Sequence, residues 1–242
     1  MKVDPLVALH DVSKTFDRHP VVRSVDLTLE RPEIFGLLGP SGAGKTTLVK
    51  MIAGIDQANE GTVHVLGEKM PNLRTVKRIG YMAQSDALYE DLTAKENLHF
   101  FASLYGMRKR ERNERIAEVL GVVDLIKDEN KLVRHFSGGM KRRLSLAAAL
   151  VHQPEVLILD EPTVGIDPVL RKQVWDAFEE LVQKGTAILV TTHVMDEAER
   201  CDRLAMIRSG RLIASGTPEA LKEDTGTASI EEAFLVFGRD SR

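Results

Sequence analysis

The sequence predicts an α/β fold: a core sheet flanked by helices, with an antiparallel β subdomain and an inserted helical subdomain. Three observations lead to this prediction. Short β-rich runs fill residues 6–38, and charged helical patterns fill residues 93–150. Two nearly continuous aliphatic runs follow at 156–159 and 187–191, as is typical of parallel strands buried on both faces. The helical pattern of Pro168–Gln183 between them completes a strand–helix–strand unit.

The remaining elements follow in chain order. Strands are predicted over 6–12, 21–29, 34–38, 62–65, 79–82, 204–208 and 211–214, and helices over 46–53, 140–151, from Pro218, and over 229–237. We expect one domain over residues 1–242. Residues 1–85 and 151–242 would form the core and the β subdomain, and about 86–150 the helical subdomain.

Composition limits the possible function classes. The chain has 242 residues, 43% of them hydrophobic, and a net charge of −3 from interleaved acidic and basic residues, which argues against a nucleic-acid surface. Cys201 is the single cysteine, so no internal disulfide can form, which fits a reducing compartment. No apolar run approaches the ~18 residues of a membrane span, and no signal-peptide core follows Met1. We therefore expect any membrane role to require a partner.

The most specific motif is the segment from Gly39 to Thr47, GPSGAGKTT, which fits the phosphate-loop pattern GxxxxGK[ST]. It lies between a predicted strand and a predicted helix, where glycine N–H groups and the helix N-terminus can hold an anion. Lys45 would reach the β- and γ-phosphates, and Thr46 would ligate Mg²⁺. The alternative is a glycine-rich turn. The predicted phosphate-binding residues are Gly39, Ser41, Gly42, Gly44, Lys45, Thr46 and Thr47.

A second possible cradle is Ser137-Gly138-Gly139, directly before the helical pattern 140–151. In isolation, an ordinary N-cap serine with a glycine turn is the better interpretation. The aliphatic run that follows, however, ends in Asp160-Glu161, the acidic strand end expected beside a bound nucleotide. There Asp160 would hold Mg²⁺ and Glu161 would act as the base that polarises the attacking water.

Together these motifs make the chain similar to the nucleotide-binding subunit of ATP-binding-cassette transporters, which have a P-loop NTPase core. Phe136 to Met140 matches the family signature LSGGQ at its Ser-Gly-Gly centre, and 157–163 matches the acidic strand. Further matches are the D-loop at 165–167, the Q-loop glutamine Gln84, the switch histidine His193 and the adenine-stacking aromatic Phe16. The resemblance covers essentially the whole chain.

The resemblance implies ATP and Mg²⁺ as cofactors and assigns roles to single residues. The catalytic residues would be Glu161, His193 and Gln84; Thr46, Gln84 and Asp160 would hold the metal; and Phe16, Ser137, Gly138, Gly139 and Asp167 would join the phosphate loop in binding nucleotide. Taken singly, His193 could be a polar strand cap, Gln84 a solvated loop residue and Phe16 a packed aromatic ring.

Met140 and Phe136 depart from the signature, and these departures, with the short C-terminal stretch 230–235, resemble the branch of drug and antibiotic exporters. The implied partners are a separate transmembrane permease and a second ATP-binding subunit, identical or different, at the cytoplasmic face of the membrane. Two phosphate cradles but one phosphate-loop lysine favour a head-to-tail dimer, in which Ser137 of one subunit meets ATP on the other.

Alternatives remain open at this point. An importer ATPase or a non-transport cassette ATPase would share these motifs. A chromosome or repair ATPase would need a long coiled coil between Gln84 and Ser137, and a translation factor would need two cassettes. A small-molecule kinase would leave Ser137 and His193 unused. The basic runs 108–112 and 141–143 are interpreted as solvated helix faces, with nucleic acid or anionic lipid as a minor alternative.

Overall fold

Two β-sheets with flanking helices form the frame of the structure, a computed structural model in which residues 4–239 are described. The strands are β1 Val7–Phe16, β2 His19–Leu29, β3 Ile34–Leu38, β4 Glu60–Val65, β5 Glu68–Lys69, β6 Ile79–Met82, β7 Val156–Asp160, β8 Ala187–Thr192, β9 Arg203–Arg208 and β10 Arg211–Gly216. The helices are α1 Lys45–Ile52, α2 Leu73–Val76, α3 Ala94–Leu104, α4 Lys109–Val122, α5 Gly138–Leu150, α6 Pro168–Gln183, α7 Met195–Ala198, α8 Pro218–Thr225 and α9 Ile230–Arg239.

The larger sheet has the strand order β10-β9-β3-β8-β7-β6. Its five strands from β9 to β6 are parallel, and β10 is added antiparallel to β9. Every residue of β3, β7 and β8 is buried, as their aliphatic sequences predict for strands covered on both faces. The prediction of a core sheet flanked by helices is confirmed.

The smaller sheet is antiparallel, with the order β2-β1-β4-β5. Its buried side chains, such as Val7, Leu9 and Val25, share one core with α1 and with side chains of the larger sheet such as Phe35 and Leu189. The predicted strand over 6–12 extends further, to Phe16, where it turns into β2.

Helices α3, α4 and α5 lie together on the other side of the larger sheet and share a second core with it. Helix α3 begins with a capping box, in which Thr93 and Glu96 each accept a hydrogen bond from the other's backbone N–H. Buried leucines and valines of the three helices, including Leu98, Val119 and Leu144, join this core. Within residues 4–239, none of the helices is long and apolar enough to cross a membrane.

Three parallel strands deliver the residues of interest to one edge of the larger sheet. Gly39 follows β3, Glu161 follows β7 and His193 follows β8. The register places Asp160 beside Thr191, and Leu37 beside Thr191 on the other flank. Because ligands bind beyond the carboxyl ends of parallel strands, this edge is where a site is expected.

Candidate functional site

A cavity of about 350 Å³ opens at this edge, above the N-terminus of α1. Its lining residues are Val21, Ser41, Gly42, Ala43, Gly44, Lys45, Thr46, Thr47, Gln84 and Glu161. The structure thus brings most of the predicted loop together with Gln84 and Glu161, which come from two other strand ends. Val21 and Ala43 are not among the predicted residues; Val21 belongs to β2, and nothing in its local sequence marks it.

Backbone geometry explains why the loop needs glycine. Gly44 is the N-cap of α1 with a φ of 106°, in the region that side chains disfavour, and a Cβ there would lie 2.7 Å from the Val21 carbonyl oxygen. Gly42 also has a positive φ, of 78°, and faces open space. The first N–H groups of α1 therefore point into a cavity that side chains do not fill, which suits an anion.

Lys45 is buried at the base of this cavity. Its Nζ donates to the Gly39 carbonyl at 2.7 Å and to the Pro40 carbonyl at 3.2 Å, and it lies 3.9 Å from Oε1 of Glu161. Burial lowers the pKa of the Lys45 ammonium, and the charges of Glu161 and Asp160 oppose that shift. A cation is thus fixed inside the loop, where it can meet phosphate.

Asp160 is fully buried at the end of β7. Its Oδ1 accepts a hydrogen bond from the Thr191 hydroxyl at 2.5 Å, which fixes the carboxylate. Its Oδ2 has no hydrogen-bond partner among the described residues. Because a buried carboxylate oxygen is costly to leave unpaired, this atom is suited to a cation or a water held by one. Sequence reasoning predicted a metal role for Asp160 but not the part of Thr191.

Glu161 and His193 meet across the edge of the sheet. Oε1 of Glu161 lies 3.1 Å from Nδ1 of His193, whose side chain is about half exposed, at 46%. The backbone of Glu161 is left-handed, with a φ of 52°, and its N–H donates to both oxygens of Thr191. The carboxylate therefore stands between a histidine and the Lys45 ammonium, at the wall of the cavity.

The signature residues lie elsewhere. Ser137 is the N-cap of α5, and its Oγ accepts a hydrogen bond from Met140 N–H at 3.2 Å. Ser137 and Gly138 are exposed, and a Cβ on Gly139 would come within 3.0 Å of the Gly165 carbonyl. In the described part of the chain, none of the three lines the cavity that holds Lys45.

Two further predicted residues have local partners. Asp167 is the N-cap of α6, with Oδ1 accepting from Val169 and Leu170 N–H at 3.1 Å each. Phe16 lies at the end of β1, 45% exposed, with the Lys14 ammonium 4.9 Å from its ring centre. Neither residue is part of the cavity lining, so their nucleotide roles stay predictions from the motif match.

Arg142 corrects one expectation. The interpretation of the run 141–143 as a solvated helix face is wrong for Arg142, because its side chain is buried. Its guanidinium donates to the carbonyl oxygens of Ala83, Gln84, Asp160 and Glu161. Burial lowers its pKa, opposed most strongly by the charge of Asp86. Arg142 lies one helical turn before the buried Leu146, so periodicity alone places it on the inner face of α5. The three consecutive basic residues favour the opposite prediction, a solvated face.

A buried network behind His193 is also invisible to sequence reasoning. Glu197 accepts hydrogen bonds from the hydroxyls of Thr163 and Thr192, the second at 2.7 Å. The Thr192 hydroxyl in turn accepts from Val194 N–H at 3.0 Å. The segments after Glu161 and around His193 are thus tied together through one buried carboxylate.

Comparisons with known proteins agree with this geometry. Residues 22–164 match the family model described as ABC transporter. Over 244 residues the chain is 39% identical to the probable multidrug ABC transporter ATP-binding protein YbhF of Escherichia coli K12, covering 98% of this chain and 42% of that protein. The chain thus spans less than half the length of this relative.

Two further matches cover more of the compared protein. The chain is 43% identical over 245 residues to the Nod factor export ATP-binding protein I of Sinorhizobium fredii NGR234, covering 100% of this chain and 70% of that protein. Among solved structures, the ATP-binding cassette MJ0796, dimeric in a post-hydrolysis state with ADP and Pi bound, matches with a TM-score of 0.83 and 26% identity. That match covers 87% of this chain and 98% of MJ0796.

Proposed function

Since the chain belongs to the ABC transporter family, we propose that it binds and hydrolyses ATP to power a membrane transporter that exports drugs, lipids or other small molecules. Membership confirms the resemblance drawn from the motifs, and it confirms the predicted fold class. The exporter assignment is supported by relatives named for multidrug transport and Nod factor export. An importer ATPase is the alternative, because the same cassette motifs occur in importers and exporters.

One observation carries the hydrolytic part of the proposal. The Glu161 carboxylate lies 3.1 Å from His193 and 3.9 Å from the Lys45 ammonium, at the wall of a glycine-lined cavity on a helix N-terminus. A phosphate chain in that cavity would place its terminal group near Lys45, with Glu161 beside it. A base, a cation and an anion cradle at one sheet edge suit attack of water on a phosphate.

The residues present fit a divalent cation held jointly with nucleotide phosphates. Thr46, Gln84 and Asp160 would hold Mg²⁺. The supporting observation is that Oδ2 of Asp160 is buried without a hydrogen-bond partner among the described residues. When bound, the ion would neutralise charge on the β- and γ-phosphates. Over residues 4–239, no group of three or more histidine, cysteine or acidic side chains is arranged to hold a metal ion.

The chain's own residues would then divide the reaction. The N–H groups of the loop and Lys45 bind the phosphates and offset their charge as the γ-phosphoryl group passes from ADP to the attacking water. Glu161 accepts the proton of the attacking water, and the products are ADP and phosphate. His193, whose Nδ1 lies 3.1 Å from Oε1 of Glu161, would steady the γ-phosphate. Phe16 would stack on adenine, which reads no specific base edge.

The proposed assembly follows from the separation of the two cradles. Ser137, Gly138, Gly139 and Asp167 would contact ATP on a second subunit, identical or different, in a head-to-tail dimer. The dimeric structure of the MJ0796 cassette supports the pairing of two cassettes. A separate transmembrane permease would hold both subunits at the cytoplasmic face of the membrane.

Glu161→Gln is the direct test of this proposal. The amide keeps the shape of the side chain but cannot take a proton, so we expect near-normal ATP binding and a loss of turnover of about 10² or more. Phosphate release is measured with ATP and Mg²⁺ and without any acceptor, which also separates an ATPase from a kinase. Turnover within a few-fold of wild type would show that Glu161 is not the base.

A further inference from the structure

The Arg142 guanidinium joins two segments that both end at the nucleotide cavity. One terminal nitrogen donates to the Ala83 and Gln84 carbonyls, at 2.6 and 2.9 Å. The other donates to the Asp160 carbonyl, and to the Glu161 carbonyl at 2.6 Å. These segments lie at the ends of β6 and β7, and the guanidinium reaches them from α5, which packs beside both strands.

These contacts fall on a strained part of the backbone. Glu161 is held in the left-handed region, with a φ of 52°, which non-glycine residues rarely adopt and which persists only where the surroundings over-determine it. On one side, Thr191 accepts from the Glu161 N–H. On the other, Arg142 donates to the Glu161 carbonyl. Thr191 and Arg142 thus hold the backbone of Glu161 from both sides, and its carboxylate faces Lys45 and His193.

Arginine is suited to this position for a physical reason. A guanidinium has five N–H donors in a rigid plane, so it can serve four carbonyls that lie around it, whereas a lysine ammonium has three donors on one nitrogen. The side chain is 8% exposed and Asp86 is 4.0 Å away, so backbone oxygens supply most of its near partners. A buried cation with these partners is costly to displace.

We propose that Arg142 is a positioning residue for hydrolysis: it fixes the Glu161 backbone against Gln84 and couples both to α5. The proposal rests on the proposed function, since it concerns the same base. Ser137 caps α5 five residues before Arg142, about 7.5 Å along the axis at 1.5 Å per residue. A partner's nucleotide that draws Ser137 would move Arg142 with it, because a helix shifts as a rigid element.

The chain offers a matched control on the same helix. Arg143 also donates to two backbone carbonyls, of Val123 at 3.0 Å and Asp124 at 2.9 Å, but these lie in the helical subdomain. Arg143→Gln removes the same side chain and the same kind of contact, away from the cavity. It separates a general loss of stability from an effect on Glu161.

The experiment compares Arg142→Gln, Arg142→Lys and Arg143→Gln for ATP affinity, turnover and melting temperature. We expect Arg142→Gln to keep ATP affinity and lose about 10² in turnover, the scale of a base misplaced by about 1 Å. Arg142→Lys should recover part of that loss. Arg143→Gln should lower the melting temperature without changing turnover. If Arg142→Gln does not fold, Arg142→Lys decides, with a turnover below that of Arg143→Gln supporting the proposal.

A double variant tests whether Arg142 acts through Glu161. In single-turnover experiments, Glu161→Gln with Arg142→Lys should be as slow as Glu161→Gln alone, because the base that Arg142 positions is already gone. The proposal would be overturned if the losses of the two single variants multiplied in the double variant. Equal turnover in Arg142→Lys and Arg143→Gln would also overturn it. If wild type and Arg143→Gln also release no phosphate, the failure belongs to the proposed function and not to Arg142.

Discussion

Two helix N-termini in this chain look alike in sequence and differ in structure. Helix α1 follows a glycine-rich loop, α5 begins with Gly138 and Gly139, and neither helix has an acidic residue in its first turn. At α1, the buried Lys45 lies inside the cavity, and the Gly44 N-cap offers no side chain to the N–H groups. At α5, the exposed Ser137 already accepts from an N–H group of its own helix.

The basic residues sharpen this contrast. At the start of α5, Lys141 pairs with Glu90, while Arg142 and Arg143 donate to backbone carbonyls. Each is engaged inside its own chain. The α1 end therefore has a buried cation inside the cavity, whereas the basic residues near the start of α5 all have partners within the chain. The proposed head-to-tail dimer uses this difference, because it assigns the two helix ends of one subunit to two different ATP sites.

Lys45→Ala should give the largest loss of ATP binding and turnover. It tests the helix end at α1, where Lys45 lies in the cavity. Without its ammonium the loop has no side-chain cation for the β- and γ-phosphates, so we expect productive ATP binding and phosphate release to be abolished. Nucleotide affinity and phosphate release of the purified variant are the measurements.

Lys50→Ala is the matched control, because Lys50 lies on the same helix but is exposed and outside the cavity lining. It should bind and hydrolyse ATP as wild type does. Unchanged ATPase activity in Lys45→Ala would remove the phosphate-loop assignment and with it the contrast between the two helix ends.

The contrast also shows what a sequence can predict. The phosphate loop and the aliphatic strands are local patterns, so the amino-acid sequence alone places Lys45 at a helix start and Asp160 and Glu161 at a strand end. It does not place Arg142, because the four carbonyl partners come from two segments that meet only through the register of β6 and β7. Nor does it place Val21, whose carbonyl approaches Gly44 from the other sheet.

Ser137→Arg should give the next largest effect and tests the α5 half. It leaves Lys45 and Thr46 untouched, so ATP binding by the monomer should stay nearly intact. A large cation in the exposed cradle should block dimer closure. In a Glu161→Gln background with ATP, we expect a stable dimer by size-exclusion chromatography, and adding Ser137→Arg should return it to monomer.

Mixing two inactive variants shows whether the halves are shared. Ser137→Arg with Lys45→Ala leaves one composite site that lacks both groups and one that has both. Partial recovery of phosphate release would support sharing across the interface. Loss of monomer ATP binding in Ser137→Arg alone would instead mean that the serine acts within its own subunit, and the dimer arrangement would be wrong.

The smallest effect separates the two roles of Ser137, helix cap and phosphate ligand. Aspartate is as good an N-cap as serine, whereas alanine costs about 1 kcal/mol, or about 2–4 °C in melting temperature for a domain of this size. Ser137→Ala should therefore melt lower, while Ser137→Asp melts like wild type but places a carboxylate where phosphate should approach. Thr93→Ala, which removes the side-chain cap of α3, is the control for lost capping and should leave the dimer intact. If Ser137→Asp dimerised with ATP as well as wild type in the Glu161→Gln background, Ser137 would be a cap only, and the α5 end would not be half of a site.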